Sequence, residues 1–302
     1  MIRRGRPGFT LLEMLIALGV SLIVVIAATT AIARQRRAYA ALDALSTERA
    51  ELRTGIEILA SELDAVAPGA DSIPLASDTA LEIHSAIGAS TVCATPSATR
   101  VTLPPDTLAS GAVLSSWVVT PDTGDAVLIY HDSTATSPVR GWSRHRIRAF
   151  AALPAASACP PSSALTSMAD VASGASAYEV TLATPTTTAR GAPVRFLRRG
   201  RYSIYRASDG NWYLGYRRCT NGICAGVQPV AGPFRGTSRF PLTLRYFDRA
   251  GLELAPAAQL TSVARVDIVL RAGSAIAVAL PGGGRRVLRD SALLSVSMRN
   301  AP

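Results

Sequence analysis

One carboxylate stands alone in a long apolar stretch near the N-terminus. Residues 9–33 read FTLLEMLIALGVSLIVVIAATTAIA, and Glu13 is their single charged residue. An ionisable side chain inside a membrane costs about 2.5–3.5 kcal/mol at the bilayer centre and less near an end, so we expect Glu13 to have a partner and a function.

Cleavage between Gly8 and Phe9 would create such a partner, a cationic amine on Phe9. At roughly 4 Å and an effective dielectric of about 20, this pair gains about 4 kcal/mol before desolvation is subtracted. Between neighbouring chains it would hold helices side by side in register.

The four cysteines could form two disulfides. They are Cys93, Cys159, Cys219 and Cys224. An Asn-Gly dipeptide between the last two is a strong signal for a two-residue β-hairpin turn. Such a turn places Cys219 opposite Cys224 with Cα atoms about 4.5 Å apart, within reach of a disulfide. Cys93–Cys159 then follows by elimination, as one of three possible connectivities. Free thiols and a metal site stay open as alternatives, although one C-x4-C pair and two distant cysteines fit zinc spacing poorly.

The three histidines, His84, His131 and His145, are the remaining candidates for acid–base chemistry. No G-x-S-x-G or other nucleophile signature accompanies them. The segment 144–146, Arg-His-Arg, predicts an exposed basic strand. The glycines at 282–284 lack the spacing and the Lys-Ser/Thr of a phosphate-binding loop, and they predict a hairpin turn. We therefore expect no enzymatic activity, no cofactor and no metal.

Composition excludes several other classes of protein. The chain has 302 residues, 48% hydrophobic and 17% charged, which excludes intrinsic disorder. All 31 basic residues are arginine, against 21 acidic residues, and the formal net charge is +10. The arginines are widely spread, and no RNP motif, zinc finger or recognition helix lies beside them. We therefore expect a solvated basic surface and no nucleic-acid partner.

The apolar stretch is long enough to cross a bilayer as one helix. At about 1.5 Å per residue, residues 9–33 span about 37 Å, more than the hydrocarbon thickness of about 30 Å. The short basic flank with Arg3, Arg4 and Arg6 favours a cytoplasmic N-terminus. A removable secretory signal is the alternative, because residues 31–33 resemble its cleavage site. Its apolar core would be longer than usual, however, and would contain a carboxylate.

The residues around this stretch resemble a known signal. Arg6-Pro7-Gly8-Phe9-Thr10-Leu11-Leu12-Glu13 is similar to the class III signal of type IV pilins and type II secretion pseudopilins. In that family a short basic leader ends in Gly and is followed by Phe-Thr-Leu-Leu-Glu and a membrane helix. The resemblance implies that a prepilin peptidase cuts after Gly8 and methylates the amine of Phe9, with Glu13 as the assembly carboxylate. The chain looks most like the J-type minor pseudopilin and the PilW-type minor pilin.

A second helical pattern follows the apolar stretch. Its apolar residues, at helical spacing, are Tyr39, Leu42, Leu45, Leu52, Ile56, Leu59, Leu63 and Val66. Two heptads are too few to favour a coiled coil, so we expect this stripe to pack on the chain's own sheet. Pro68-Gly69 would end the helix. One continuous helix is therefore predicted from about Thr10 to Val66.

Beyond this helix, strand patterns predominate. The predicted strands are Ala80–Ser85, Ala112–Thr120, Asp125–His131, Arg144–Phe150, Tyr202–Arg206, Asn211–Arg218, Leu242–Phe247, Val263–Arg271 and one or two within Arg285–Met298. Segments 132–143, 151–176 and 183–193 are predicted surface loops. Five aromatic residues are expected to pack across strands rather than to form a binding face: Tyr202, Tyr205, Trp212, Tyr213 and Tyr216. A helix packed on an antiparallel sheet gives an α+β fold, which is also the pilin-like architecture that the resemblance implies.

These predictions divide the chain into four segments. They are a cleaved cytoplasmic leader (1–8), a transmembrane or filament-core helix (9–33), an amphipathic stalk (34–67) and a periplasmic β-rich head (68–302). The resemblance implies a structural role in a type II secretion pseudopilus or a type IV pilus tip or priming complex. The implied partners are the prepilin peptidase, other minor and major pilins or pseudopilins, and the inner-membrane assembly platform. A second hypothesis is an adhesin or cargo-binding head on the same anchor.

Overall fold

The computed structural model describes residues 10–66, 73–132, 141–220, 222–235, 240–256, 262–274, 277–279 and 284–298. Its longest element is helix α1 (Leu11–Asp64), and the described part of the head contains two short α-helices, α2 (Ala155–Ala158) and α3 (Met168–Ala172), with a 3-10 helix between them (Pro161–Ser163). The rest of the described head is mainly antiparallel sheet. The predicted α+β, pilin-like architecture is confirmed.

The strands are numbered in chain order through the described residues. They are β1 (Leu75–Ala76), β2 (Ala80–Thr91), β3 (Ala94–Ser97), β4 (Arg100–Leu103), β5 (Ser116–Trp117), β6 (Ala126–His131), β7 (Gly141–Pro154), β8 (Ser176–Leu182), β9 (Pro193–Arg206), β10 (Trp212–Thr220), β11 (Ile223–Cys224), β12 (Gln228–Phe234), β13 (Leu242–Phe247), β14 (Glu253–Leu254), β15 (Arg265–Gly273), β16 (Val278–Ala279), β17 (Arg285–Arg286) and β18 (Arg289–Ser297).

Helix α1 is continuous over 54 residues, about 81 Å at the usual rise per residue. The Thr10 hydroxyl caps its first turn by accepting a hydrogen bond from the backbone N–H of Glu13 at 3.3 Å. At the other end the backbone N–H of Ala65 donates to the carbonyl of Ser61. The prediction of one helix from about Thr10 to Val66 is confirmed. The predicted stop at Pro68-Gly69 lies outside the described residues.

Strand β9 organises the larger sheet. It pairs with β2 along one edge, and with β6 and then β10 along the other. The main strand order is β1-β2-β9-β6-β7-β8-β4-β3, with β12 beside β10. A second sheet has the order β14-β13-β15-β18. Strands β16 and β17 form a separate two-stranded sheet. The described strands from β13 onwards are therefore not part of the larger sheet.

The main core lies between the second half of α1 and both sheets. The helix buries Leu52, Ile56, Leu59 and Leu63, each at most 7% exposed. They pack in one cluster with side chains from the sheets, among them Leu81, Ile83, Phe234, Leu244, Tyr246, Ile268 and Leu270. Burying a side chain of this size contributes about 1.5–3 kcal/mol. The expectation that the stripe packs on the chain's own sheet is therefore confirmed for the part of the helix beyond Leu52.

The earlier part of the predicted stripe is not buried. Tyr39 is 65% exposed and Leu42 is 63% exposed. The first buried residue along α1 is Glu48, because this is where the helix first meets the head. Desolvation raises the pKa of the Glu48 carboxyl, and the positive charge of Arg235 opposes the rise. One Glu48 oxygen is buried without a hydrogen-bond partner in the described structure. A poorly solvated carboxylate therefore lies where the buried part of α1 begins.

Segment 151–176, predicted to be a surface loop, is structured and partly buried. Strand β7 continues to Pro154, and α2 and α3 follow. Ala155, Ala158 and Cys159 pack with Cys93 and Ala177 in a small separate core. The alanine-rich composition of this segment supplies side chains small enough to close around the cysteines. The prediction of an irregular surface loop here was wrong.

Of the predicted strand Ala112–Thr120, only the two residues of β5 form a strand in the structure. Within β5, Trp117 is paired with Gly88 of β2 and packs edge-on against Phe150, Tyr178 and Phe196, with ring centroids 5.6, 4.9 and 5.8 Å away. Next to it, Val118 is 91% exposed. A short pairing with β2 and one aromatic anchor therefore hold this segment.

Gly55 should be required for the close approach of α1 to the head. An added Cβ would lie 2.7 Å from Cδ2 of Leu270 and 3.2 Å from Cζ of Phe234. We expect Gly55→Ala to lower the free energy of unfolding by about 1 kcal/mol, because overpacking outweighs the gain in helix propensity. Urea unfolding of the full chain in detergent measures this change in the free energy of unfolding. Gly19→Ala is the control, since no atom lies within 4 Å of its added Cβ, and a stabilised Gly55→Ala would contradict the packing.

Candidate functional site

The first half of α1 is apolar on every side and exposed. Its large apolar side chains, each more than half exposed, are Leu11, Leu12, Met14, Leu15, Ile16, Leu18, Val20, Leu22, Ile23, Val24, Val25, Ile26 and Ile32. A helix that is apolar all round requires a protein core or a membrane. Within the described ranges α1 is the one helix long and apolar enough to cross a bilayer, and none of its apolar window is buried. This is the arrangement of a single-pass membrane anchor.

The two threonine hydroxyls in this half of the helix are satisfied locally. The Thr29 hydroxyl lies 2.9 Å from the carbonyl oxygen of Val25, and the Thr30 hydroxyl donates to the carbonyl of Ala27 at 2.8 Å. Such bonds keep a hydroxyl compatible with an apolar environment. From Leu11 to Ala33 the helix measures about 35 Å, enough for a bilayer core. Arginines follow at once, at positions 34, 36 and 37.

Glu13 lies in the first turn of α1, with its side chain on the exposed surface. The positive end of the helix dipole favours a carboxylate there by about 0.3–1 kcal/mol. Gly8 and Phe9, the predicted cleavage and methylation positions, lie outside the described residues. The geometry therefore gives the position of the carboxylate at the helix start, and the role of all three residues stays a prediction.

Residues 3–29 match the family model of the prokaryotic N-terminal methylation motif. The chain carries a prepilin-type, type IV pilin-like signal. This motif points to a structural pilin-like subunit that a prepilin peptidase processes and that assembles with other pilins. The matched range includes residues 3–8 of the predicted leader, the predicted cleavage position and Glu13. No curated protein and no solved structure matches the chain.

All four cysteines are disulfide-bonded, Cys93 to Cys159 and Cys219 to Cys224. Cys219 and Cys224 are directly opposite each other in the β10–β11 hairpin, with Cα atoms 3.9 Å apart. Gly222 in the turn has a φ of +82°, a conformation that favours glycine. Glu82 lies close to both sulfurs of this pair. Thiolates are the form of cysteine that binds metals, so this cluster offers no metal-ligand set while the disulfide is intact.

His145 is buried, although segment 144–146 was predicted to be exposed. Only Arg144 and Arg146 point to solvent, whereas His145 is 7% exposed on the opposite face of β7. Alternation of side chains along a strand separates the two faces. The alternation alone does not tell which of the two faces of the strand is buried. In β7 the buried face is the one that includes His145. The prediction was wrong for the histidine alone.

A chain of hydrogen bonds joins His131, Ser143, His145 and Thr184. His131 Nδ1 is 2.8 Å from the carbonyl oxygen of Thr187, so neutral His131 donates there and accepts from the Ser143 hydroxyl through Nε2. Ser143 Oγ then accepts from His145 Nε2 at 2.8 Å, and His145 Nδ1 accepts from the Thr184 hydroxyl at 2.8 Å. These tautomers follow from the network. The Ser143 hydroxyl already donates its one proton to His131. These hydrogen bonds therefore form a buried network that links neighbouring strands.

The predicted aromatic packing across strands is confirmed. Tyr202 is directly opposite Tyr216, and Tyr205 is directly opposite Tyr213. Their ring centroids are 5.1 and 5.9 Å apart, respectively. Aromatic pairs in this position stabilise neighbouring strands.

Acidification should destabilise the head through His145. Burial lowers the pKa of His145, the neighbouring His131 lowers it further, and the contact with Thr184 opposes both. Because the folded pKa is depressed, the unfolded chain takes up the proton first as the pH falls below about 6.5. The loss of stability should reach at most about 1.4 kcal/mol per pH unit. Urea unfolding at several values from pH 7.5 to pH 5 should show a flatter profile for His145→Gln; equal profiles would exclude this role.

Proposed function

We propose that the chain is a minor pilin or pseudopilin, a structural subunit of a type II secretion pseudopilus or a type IV pilus tip or priming complex. The observation that carries the proposal is the two-part helix. One end of α1 is built into a folded head, and the other is an exposed apolar rod that begins with a prepilin-type signal. A membrane can cover such a rod before assembly, and neighbouring apolar helices can cover it afterwards.

The proposed segments follow this division. Residues 1–8 are the cytoplasmic leader, 9–33 the membrane and filament-core helix, 34–67 the stalk, and 68–302 the periplasmic head. Disulfides are usual in proteins exposed to an oxidising compartment, which supports export of the head. The inner-membrane assembly platform and other leader-bearing subunits are the proposed partners. Length, the short leader and strand β15 support a relation to the J-type minor pseudopilin or the PilW-type minor pilin.

The proposed mechanism is non-covalent assembly. Peptidase cleavage after Gly8 frees the amine of Phe9, which is then methylated. Within one chain this amine is four residues from Glu13 in sequence, and between chains it would pair with the Glu13 of a neighbour. The attraction is strong where water is excluded, and it is largest when the two helices are in one register. Glu13 thus sets the register between neighbouring helices that are otherwise held together by apolar contacts alone.

Processing should depend on Gly8 in particular. We expect Gly8→Val to abolish cleavage in cells that contain a prepilin peptidase, because a β-branched side chain obstructs the scissile bond. Gly5→Val is the matched control within the leader and should be processed normally. Intact mass and N-terminal sequencing of the native protein should give a methylated Phe9 start. A mature N-terminus at Arg34 instead would identify an ordinary secretory signal and refute the proposal.

Recruitment into filaments should depend on the charge of Glu13. We expect Glu13→Gln to be cleaved normally but to fall at least tenfold in sheared or cross-linked filament fractions, because the Phe9 amine loses its partner. Glu57→Gln, which alters an exposed acid of the same helix, should be recruited as the unaltered chain is. Immunoblots that compare membrane and filament fractions measure both. Normal recruitment of Glu13→Gln would overturn the charge-based mechanism.

A further inference from the structure

Strand β18 is a long edge strand of the smaller sheet. It is the last strand in the order β14-β13-β15-β18, and all nine of its residues, Arg289–Ser297, pair in unbroken register with β15. In the described part of the chain no strand pairs with its other edge. Six of the nine residues are exposed. The helix that packs on one face of this strand therefore leaves its free edge open to solvent.

The hydrogen bonds to β15 determine which backbone groups of β18 point to the free edge. The N–H of Met298 donates to the carbonyl of Ala264, so the even-numbered residues direct their backbone groups toward β15. The odd-numbered residues direct theirs to the free edge. One of these outward N–H groups, that of Ser291, donates to the Asp290 carboxylate. The others belong to Leu293, Ser295 and Ser297.

The other terminal strands of the two sheets are protected against further pairing. Strands β1 and β14 have two residues each, and β3 has four, including Pro96. Strand β12 contains Pro229 and Pro233, which lack the N–H that a neighbouring strand needs. Short length and proline are usual means by which proteins prevent association through sheet edges. Strand β18 has neither, and its residues 291–297 carry no charge.

Leucine side chains are exposed on both faces of β18. Leu293 is 70% exposed on the outer face of the sheet. Leu294 is 36% exposed on the other face, which it shares with Ala292 and Val296 of the main core. Native proteins avoid a long, uncharged edge with exposed leucines unless a partner covers it. An extended segment that adds as a strand would bind the outward backbone groups and cover both leucines.

The direction of β18 argues against a closed pair of two copies of this chain. Asp290, near the start of the strand, forms an ion pair with Arg49. Ala292 is opposite Leu270, whose Cδ2 lies 2.7 Å from the Cβ that a side chain at Gly55 would have. The strand therefore runs in the same direction as the helix. Two copies paired antiparallel through β18 would have anchors that point in opposite directions, which one membrane cannot accommodate.

The small size of the edge favours a partner held in the same membrane. A stable complex of two free proteins uses about 20–30 residues on each side, whereas one strand beside residues 291–297 uses far fewer. A partner anchored in the same bilayer is confined near the head, which raises its effective concentration. A weak contact through a single strand is then sufficient.

We propose that the free edge of β18 binds an extended segment of another membrane-anchored subunit of the same assembly, which adds to the β13–β15–β18 sheet as a further strand. This inference rests on the proposed function, because it takes the partner to be held by the same kind of helix. Backbone hydrogen bonds supply most of the contact, so the segment lacks proline at its bonding positions. Its apolar side chains cover Leu293 and Leu294.

Strand addition can be tested on the full chain in cells that assemble the native filament. Leu293 is replaced by the photoreactive residue p-benzoylphenylalanine, and irradiated membranes are analysed by immunoblotting and mass spectrometry. We expect one adduct with another leader-bearing subunit, cross-linked within an extended segment that lacks proline. In the same background, Ser295→Pro removes an outward N–H that β15 does not use. It should lower the adduct yield at least tenfold, because an added strand loses a hydrogen bond and meets the proline ring.

The matched control is Ser295→Val, which changes the same side chain, keeps the N–H and should change the adduct yield less than twofold. Both variants should unfold at the temperature of the unaltered chain. If Ser295→Pro does not fold, Ser297→Pro replaces it, since its N–H also points outward.

Four outcomes would overturn the inference: no adduct, an equal yield in the proline variant, an adduct with a second copy of the chain, or an adduct only with a protein that has no membrane anchor. A chain that is cleaved after Gly8 and enters filaments without forming the adduct leaves the proposed function intact. Absence of that cleavage in the unaltered chain would refute the proposed function itself.

Discussion

The burial of one face of the second half of α1 is the interaction on which the structure depends. Leu52, Ile56, Leu59 and Leu63 recur at helical spacing and reach a cluster to which both sheets contribute. Without the helix, the inner face of the β13–β15–β18 sheet would be exposed to water. The second half of the helix is therefore a layer of the head, and from Glu48 onwards the stalk and the head form a single folded unit.

The same helix is suited to two different environments along its length, first the predicted bilayer and then the interior of the head. From Leu11 to Ala33 its surface is apolar on all sides, and beyond Glu48 only one face is apolar. Between these parts, Tyr39 and Leu42 are exposed apolar side chains on a mainly polar segment. These two side chains lie outside both the buried core of the head and the predicted bilayer.

The sequence predicted the long helix, its buried face and the Cys219–Cys224 hairpin, because periodicity and turn chemistry are local properties. It did not predict that β9 would be the central strand, since the alternating arginines of residues 195–201 are unusual for a buried sheet. Nor did it reveal the burial of His145, because alternation along β7 does not tell which of its two faces another part of the head covers. The role of Glu13 rests on its sequence context.

The second half of α1 meets the last described strand of the chain in the head, and this affects how the protein folds. Nε of Arg49 in α1 is 2.7 Å from a carboxylate oxygen of Asp290, a contact between residues 241 positions apart. Strand β18, which begins just before Asp290, also lies against the helix. Contacts of such long range slow folding, because a large loop must close before they form. During synthesis part of the apolar face of the helix stays uncovered until strands β15 and β18 have emerged. A chaperone that shields this face would therefore act on nascent and incomplete chains more than on the finished protein.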